Sequence, residues 1–163
     1  MAPTPWRPKS AEEDRTSSVT VEMLYRELSG ENSSVTQPES PELLLEAVSD
    51  ALFPDSAVDL DESVVKGNLD AVLLALVATQ DRNTHGKGLM ETLSTSFGAD
   101  FSPGTVYPCL HDLEDEGCLE TRELVRTKEY AIHDDEMSQE RIEAAAQQHL
   151  ALGAFLKRVS DNI

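Results

Sequence analysis

Ser102–Gly117, SPGTVYPCLHDLEDEG, is the stretch on which the fold turns. Serine followed by proline is the order that opens a helix, because a serine oxygen suits the cap and proline's fixed φ suits the first helical position. Val106, Leu110 and Leu113 then recur at steps of four and three, which predicts one buried face. Gly117 predicts the stop. Pro108 stands inside this pattern, yet only five residues beyond Pro103. The carbonyl it would crowd, that of residue 104, belongs to the first turn, so the cost is far below that of a mid-helix proline. Ser102 to His111 carry no acid, whereas Glu114, Asp115 and Glu116 gather in the last turns. The helix therefore presents a positive N-terminal end without a nearby carboxylate.

Working outward, LDAVLLALVAT (69–79) carries a stripe of Leu69, Val72, Leu73, Leu76 and Val77, with Asn68 as its expected N-cap. A break over QDRNTHGKG (80–88) precedes LMETLSTSF (89–97), closed by Gly98. After the third helix come CLETREL (118–124) and KEYAIH (128–133), two extended runs around Val125-Arg126-Thr127 with weak period-2 alternation. Three helices followed by a hairpin is the winged helix-turn-helix order: mostly α, with a small β-hairpin wing.

The flanks read differently. Residues 1–18 are rich in Pro, Ser and charge and are expected to be disordered. Within 19–65, Val21, Leu24 and Leu28 predict a short helix ending at Gly30. GENSSVTQPES (30–40) reads as a linker, and Pro41 opens a second helix with Leu44, Leu45, Val48 and Leu52 on one side. Both are too short to stand alone, so they dock on the main domain or on a partner. The winged domain is assigned to 66–133. Over 134–163 a helix without proline repeats Ile142, Ala145, His149, Leu152, Leu156, Val159 and Ile163 as a heptad seam. Such a helix packs along its own domain or dimerises; dimerisation is the preferred reading, because helix-turn-helix proteins commonly bind paired half-sites as dimers.

The formal net charge is -18. It is spread along the chain, net -9 over 1–67, -6 over 68–133 and -3 over 134–163, so the acidity is a coating and not a tail. Only 5 of the 13 basic residues are lysine. An Asp/Glu surface with little lysine suits multimolar salt, where the Debye length falls below about 3 Å and self-repulsion is screened.

Residues 66–133 resemble the DNA-binding domain of the PadR family of transcriptional regulators, haloarchaeal in type. The matching pieces are KGNLDAVLLALVA (66–78), HGKGL (85–89), SPGTVYPCLHDLEDEG (102–117) and KEYAI (128–132). The chain departs from the family at Lys87, usually aromatic, at Asp112, often basic, and at Ala131, usually basic. The resemblance implies a dimer that places the third helix in the major groove of promoter DNA, expected to be palindromic. It points to Ser102, Thr105, Tyr107 and His111 on that helix, Lys66 at the domain start, and Arg122, Arg126 and Lys128 on the wing. Its implied dimer interface is Ile142, Ala145, His149, Leu152, Leu156 and Val159. Halophilic regulators of this size with a zipper-like terminal helix include activators of gas-vesicle genes, which sets the expectation for the target. The alternative is an interaction partner of another regulator with the same fold but no DNA binding. That reading gains if Lys66, Arg122, Arg126 and Lys128 do not share a face.

Other classes find little support. The four histidines are scattered, and no nucleophile–base pair or paired carboxylates appear, so no enzyme and no cofactor are expected. Cys109, His111 and Cys118 lack the two-residue pairs of a zinc site, and the two cysteines read as core positions, with no metal. Two cysteines, no secretory h-region and no membrane-length apolar run set the expectation of a cytoplasmic protein.

Overall fold

A computed structural model describes residues 40–163 except 57 and 83. The disordered stretch expected over 1–18 and the helix expected on Val21, Leu24 and Leu28 lie outside the described residues. The elements run α1 (Pro41–Leu52), α2 (Glu62–Gly67), α3 (Leu69–Thr79), α4 (Gly86–Phe97), α5 (Pro103–Asp115), β1 (Leu119–Glu123), β2 (Lys128–Ile132) and α6 (Asp135–Ser160).

Helix α3 is the axis of the domain, touched by α2, α4, α5, α6 and β2. Its sequence is apolar nearly all round, and a helix packed on every side needs that. Ala71 and Leu74 are accordingly buried along with Leu69, Leu73, Leu76 and Val77, while Val72 is only half-buried. Leu89 and Leu93 come in from α4, and Val106, Leu110 and Leu113 from α5, as their spacing predicts. Val65 of α2, Leu119 and Tyr130 close the cluster.

The helix ends show where local rules were overridden. Asn68 does not cap α3; its side-chain amide donates to the Val64 carbonyl at 2.9 Å. The short helix α2 ends directly before it and leaves that carbonyl without a partner. Helix α4 begins at Gly86, three residues before its apolar run, because His85 caps it: Nδ1 accepts from the Gly88 amide at 2.9 Å. Gly98 (φ 62) and Gly117 (φ 82) take the left-handed conformation that closes α4 and follows α5.

The wing is an antiparallel pair with Leu119 opposite Ile132, Thr121 opposite Tyr130 and Glu123 opposite Lys128. Leu119, Thr121, Tyr130 and Ile132 thus share the inner face. A β-bridge between His85 and Glu129, with the Tyr130 amide donating to the Thr84 carbonyl at 3.1 Å, ties the segment before α4 to β2. Helix α1 docks on α4, where the Ser96 hydroxyl donates to Glu42 at 3.1 Å beside a groove lined by Leu45, Leu52 and Phe97. Of its two expected docking places, α1 uses the main domain.

The first turns of α6 are fastened. Asp134 caps it by accepting from the Met137 amide at 2.9 Å, and Ser138, buried, donates to the Cys118 carbonyl at 3.3 Å. Arg141 pairs with Glu116 at the end of α5 and reaches Asp70 of α3 at 3.7 Å. Among the described residues, no helix is long and apolar enough to cross a membrane.

Candidate nucleic-acid interface

A cleft of 350 Å³ opens where the first half of α5, the start of α4 and the wing converge. Tyr107 and His111 reach it from α5, Arg126, Thr127, Lys128 and Tyr130 from the wing, and His85, Gly86 and Lys87 from the start of α4. Each comes there for a local reason. Residues 107 and 111 are one turn apart on α5, on a face turned about 100° from that of Val106 and Leu110. The turn between the strands is closed by the Leu124 amide donating to the Thr127 carbonyl at 2.8 Å, which leaves Arg126 exposed at the tip.

Tyr107 lies close against the start of the neighbouring helix α4. A Cβ added to Gly86 would lie 2.5 Å from the Tyr107 ring, so only glycine permits that approach. The ring is 37% exposed and forms a wall of the cleft. Pro108, next to it, is exposed and the helix runs through it, as its early position leads one to expect.

An acid reaches two of the lining side chains. Glu114 of α5 accepts from the Thr121 hydroxyl at 2.7 Å, lies 3.6 Å from Lys128 Nζ and 3.7 Å from His111 Nδ1. The Thr121 bond, helped by Lys128 and His111, holds its carboxyl below the usual range. Glu116 is turned to the opposite side by Arg141.

The remaining expected residues fall elsewhere. Ser102 and Thr105 occupy the first turn of α5, outside the cleft lining, with their hydroxyls 3.2 Å apart. Arg122 alternates to the outer face of the wing and pairs with Glu120 at 3.1 Å, which also receives His133 at 3.2 Å. Lys66, in the last turn of α2, is exposed and outside the cleft. His85 and Lys87 were not among the expected contacts; the HGKGL match was the signal that pointed to them. Along the expected seam, Ile142 packs against the chain's own core and Ala145 is half-buried, whereas His149, Leu152, Leu156 and Val159 are exposed. Cys118 is buried, and burial with Asp70 and Asp112 nearby pushes the Cys109 thiol up to about 11, which keeps it protonated and unreactive.

A helix-turn-helix from α4 to α5, a wing beside it and a cleft of cations and hydrogen-bonding groups between them define a winged helix-turn-helix domain. Residues 73–136 match the family described as "Transcriptional regulator PadR-like family". The chain is 39% identical over 105 residues to "Transcriptional activator GvpE1" of Halobacterium salinarum, covering 64% of this chain and 54% of that protein. It is 40% identical over 98 residues to "Transcriptional activator GvpE" of Haloferax mediterranei, covering 60% and 50%. The chain thus spans about half the length of the curated relatives it matches. Among solved structures, Pex from Synechococcus sp. aligns over 63% of this chain and 95% of that one, at 18% identity and a TM-score of 0.37.

Proposed function

We propose that this chain is a sequence-specific DNA-binding transcriptional activator of gas-vesicle genes, acting as a dimer in a high-salt cytoplasm. The observation that carries the proposal is the convergence of α5 and the wing on one cleft that holds Tyr107, His111, Lys87, Arg126 and Lys128. The α5 N-terminus enters the major groove, its dipole directed at phosphate. Thr105 and His111 meet base edges, and Arg126 reaches backbone or minor groove beside them. In concentrated KCl, counterion release contributes little, so base-edge and shape contacts supply more of the affinity. The apolar outer side of α6 pairs with that of a second copy and joins two half-sites. The naming of both haloarchaeal relatives as transcriptional activators supports the choice of activator over repressor.

The test is a mobility-shift titration with gas-vesicle promoter fragments and scrambled duplexes, from low to multimolar KCl. A promoter shift that survives multimolar KCl and resists scrambled competitor is expected. A chain that shifts no duplex at any salt would overturn the reading in favour of a non-DNA-binding partner of another regulator, two of whose marks, Lys66 and Arg122 outside the cleft, are present.

A further inference from the structure

Glu114 is out of place on a DNA-facing cleft. Every other group around it there is a donor or a cation: the Thr121 hydroxyl at 2.7 Å, Lys128 Nζ at 3.6 Å and His111 Nδ1 at 3.7 Å. A carboxylate in that position does what a backbone phosphate would do, offering oxygens to the same cations. It is also fixed before any ligand arrives, because the Thr121 hydroxyl anchors one oxygen and leaves the other facing Lys128 and His111.

We propose that Glu114 is a positioning residue that holds Lys128, with His111, as a built-in substitute for phosphate, so that this side of the cleft meets DNA already neutralised. The inference rests on the DNA-binding reading and deepens it. Its physical content is an ion balance. When Lys128 leaves Glu114 for a phosphate, a condensed cation leaves the DNA, and the freed carboxylate takes one up from solution. The net release at that contact is close to zero, so the contact adds little to the salt dependence of binding. Phosphate contacts carry no sequence information. Cancelling one in advance removes attraction for any duplex while the base-edge contact from Thr105, which Glu114 does not touch, is unaffected. In a cytoplasm of concentrated KCl, such a cleft keeps its affinity more evenly as the salt changes.

The test measures dissociation constants by fluorescence anisotropy, for promoter and scrambled duplexes, across a tenfold range of KCl. Glu114→Gln keeps an oxygen for Thr121 and removes the charge. It is expected to bind both duplexes more tightly at the low end. Its slope of log affinity against log salt should steepen by about 0.9, so its advantage shrinks about eightfold per tenfold rise in KCl. Lys128→Gln, an exposed change that leaves the fold intact, is expected to leave the wild-type slope nearly unchanged. A Glu114→Gln slope equal to wild type, or a Lys128→Gln slope flattened by about 0.9, makes Lys128 a free phosphate ligand and overturns the role of Glu114. Wild-type protein that binds neither duplex overturns the DNA-binding reading itself, and the two failures are thereby told apart.

Discussion

The cleft beside α5 and the outer half of α6 are both surfaces left open by the fold, and they are open in opposite ways. In the cleft, polar groups already have company: Glu114 faces Lys128 and His111, and Tyr107 lies on Gly86. Along α6, fastening stops near Ile142. Farther out, Leu152, Phe155 and Leu156 are 57%, 63% and 56% exposed. Added salt also acts on the two in opposite directions. KCl weakens cation–phosphate contacts, yet it screens the repulsion between two chains of net charge -18. The proposed recognition and the proposed pairing therefore answer to different forces.

The sharpest break in that comparison is Leu152→Asp with Leu156→Asp. Two carboxylates in the proposed interface would each cost several kcal/mol. Light scattering should then find a folded monomer, and affinity for a duplex with two half-sites should fall roughly 100- to 10,000-fold. A double mutant that stays a folded dimer refutes the pairing. On the cleft side, Gly86→Ala forces a Cβ to within 2.5 Å of the Tyr107 ring and should cost roughly 1–3 kcal/mol in a thermal or denaturant melt. Combining it with Tyr107→Ala should cost less than the two single changes added together, since the clash has gone. Arg126→Glu should leave melt and mass alone and weaken duplex binding roughly tenfold at low salt, the loss fading as KCl rises. Unaltered binding would remove the wing tip from the contact surface. Smallest is Arg141→Ala at the fastened end of α6. The Arg141 side chain is 35% exposed, so losing its two ion pairs should cost about 0.5 kcal/mol, with no change in dimer mass.

What the sequence disclosed was whatever depends on neighbours along the chain. The Ser102-Pro103 start, the Val106–Leu110–Leu113 stripe and the glycines at 98 and 117 are local signals, and each has its expected place. So do the two strands and the long last helix. What stayed hidden depends on partners brought from afar. Helix α2 has six residues and only one buried side chain, too little periodicity to register. Asn68 looks like a cap until the carbonyl of Val64 competes for it. Glu114 counts as one more surface acid until Thr121 and Lys128 arrive from the wing. Arg122 and Lys128 are both wing cations by sequence, and strand alternation alone separates one face from the other.

Arg141 has a geometric consequence beyond its small energy. With the Asp134 cap and the Ser138–Cys118 bond, it holds the first turns of α6 against Glu116 at the end of α5 and Asp70 at the start of α3. Beyond the fastening, residues 142–160 at 1.5 Å each make a free arm of about 28 Å. Tilting such an arm by about 7° moves its far end by about 3.4 Å, one base step along a strand. In the proposed dimer, the arm works as the hinge leg of a pair of calipers. The operator spacing that fits such a dimer would then depend on contacts, the Arg141 guanidinium among them, that need never approach a nucleotide.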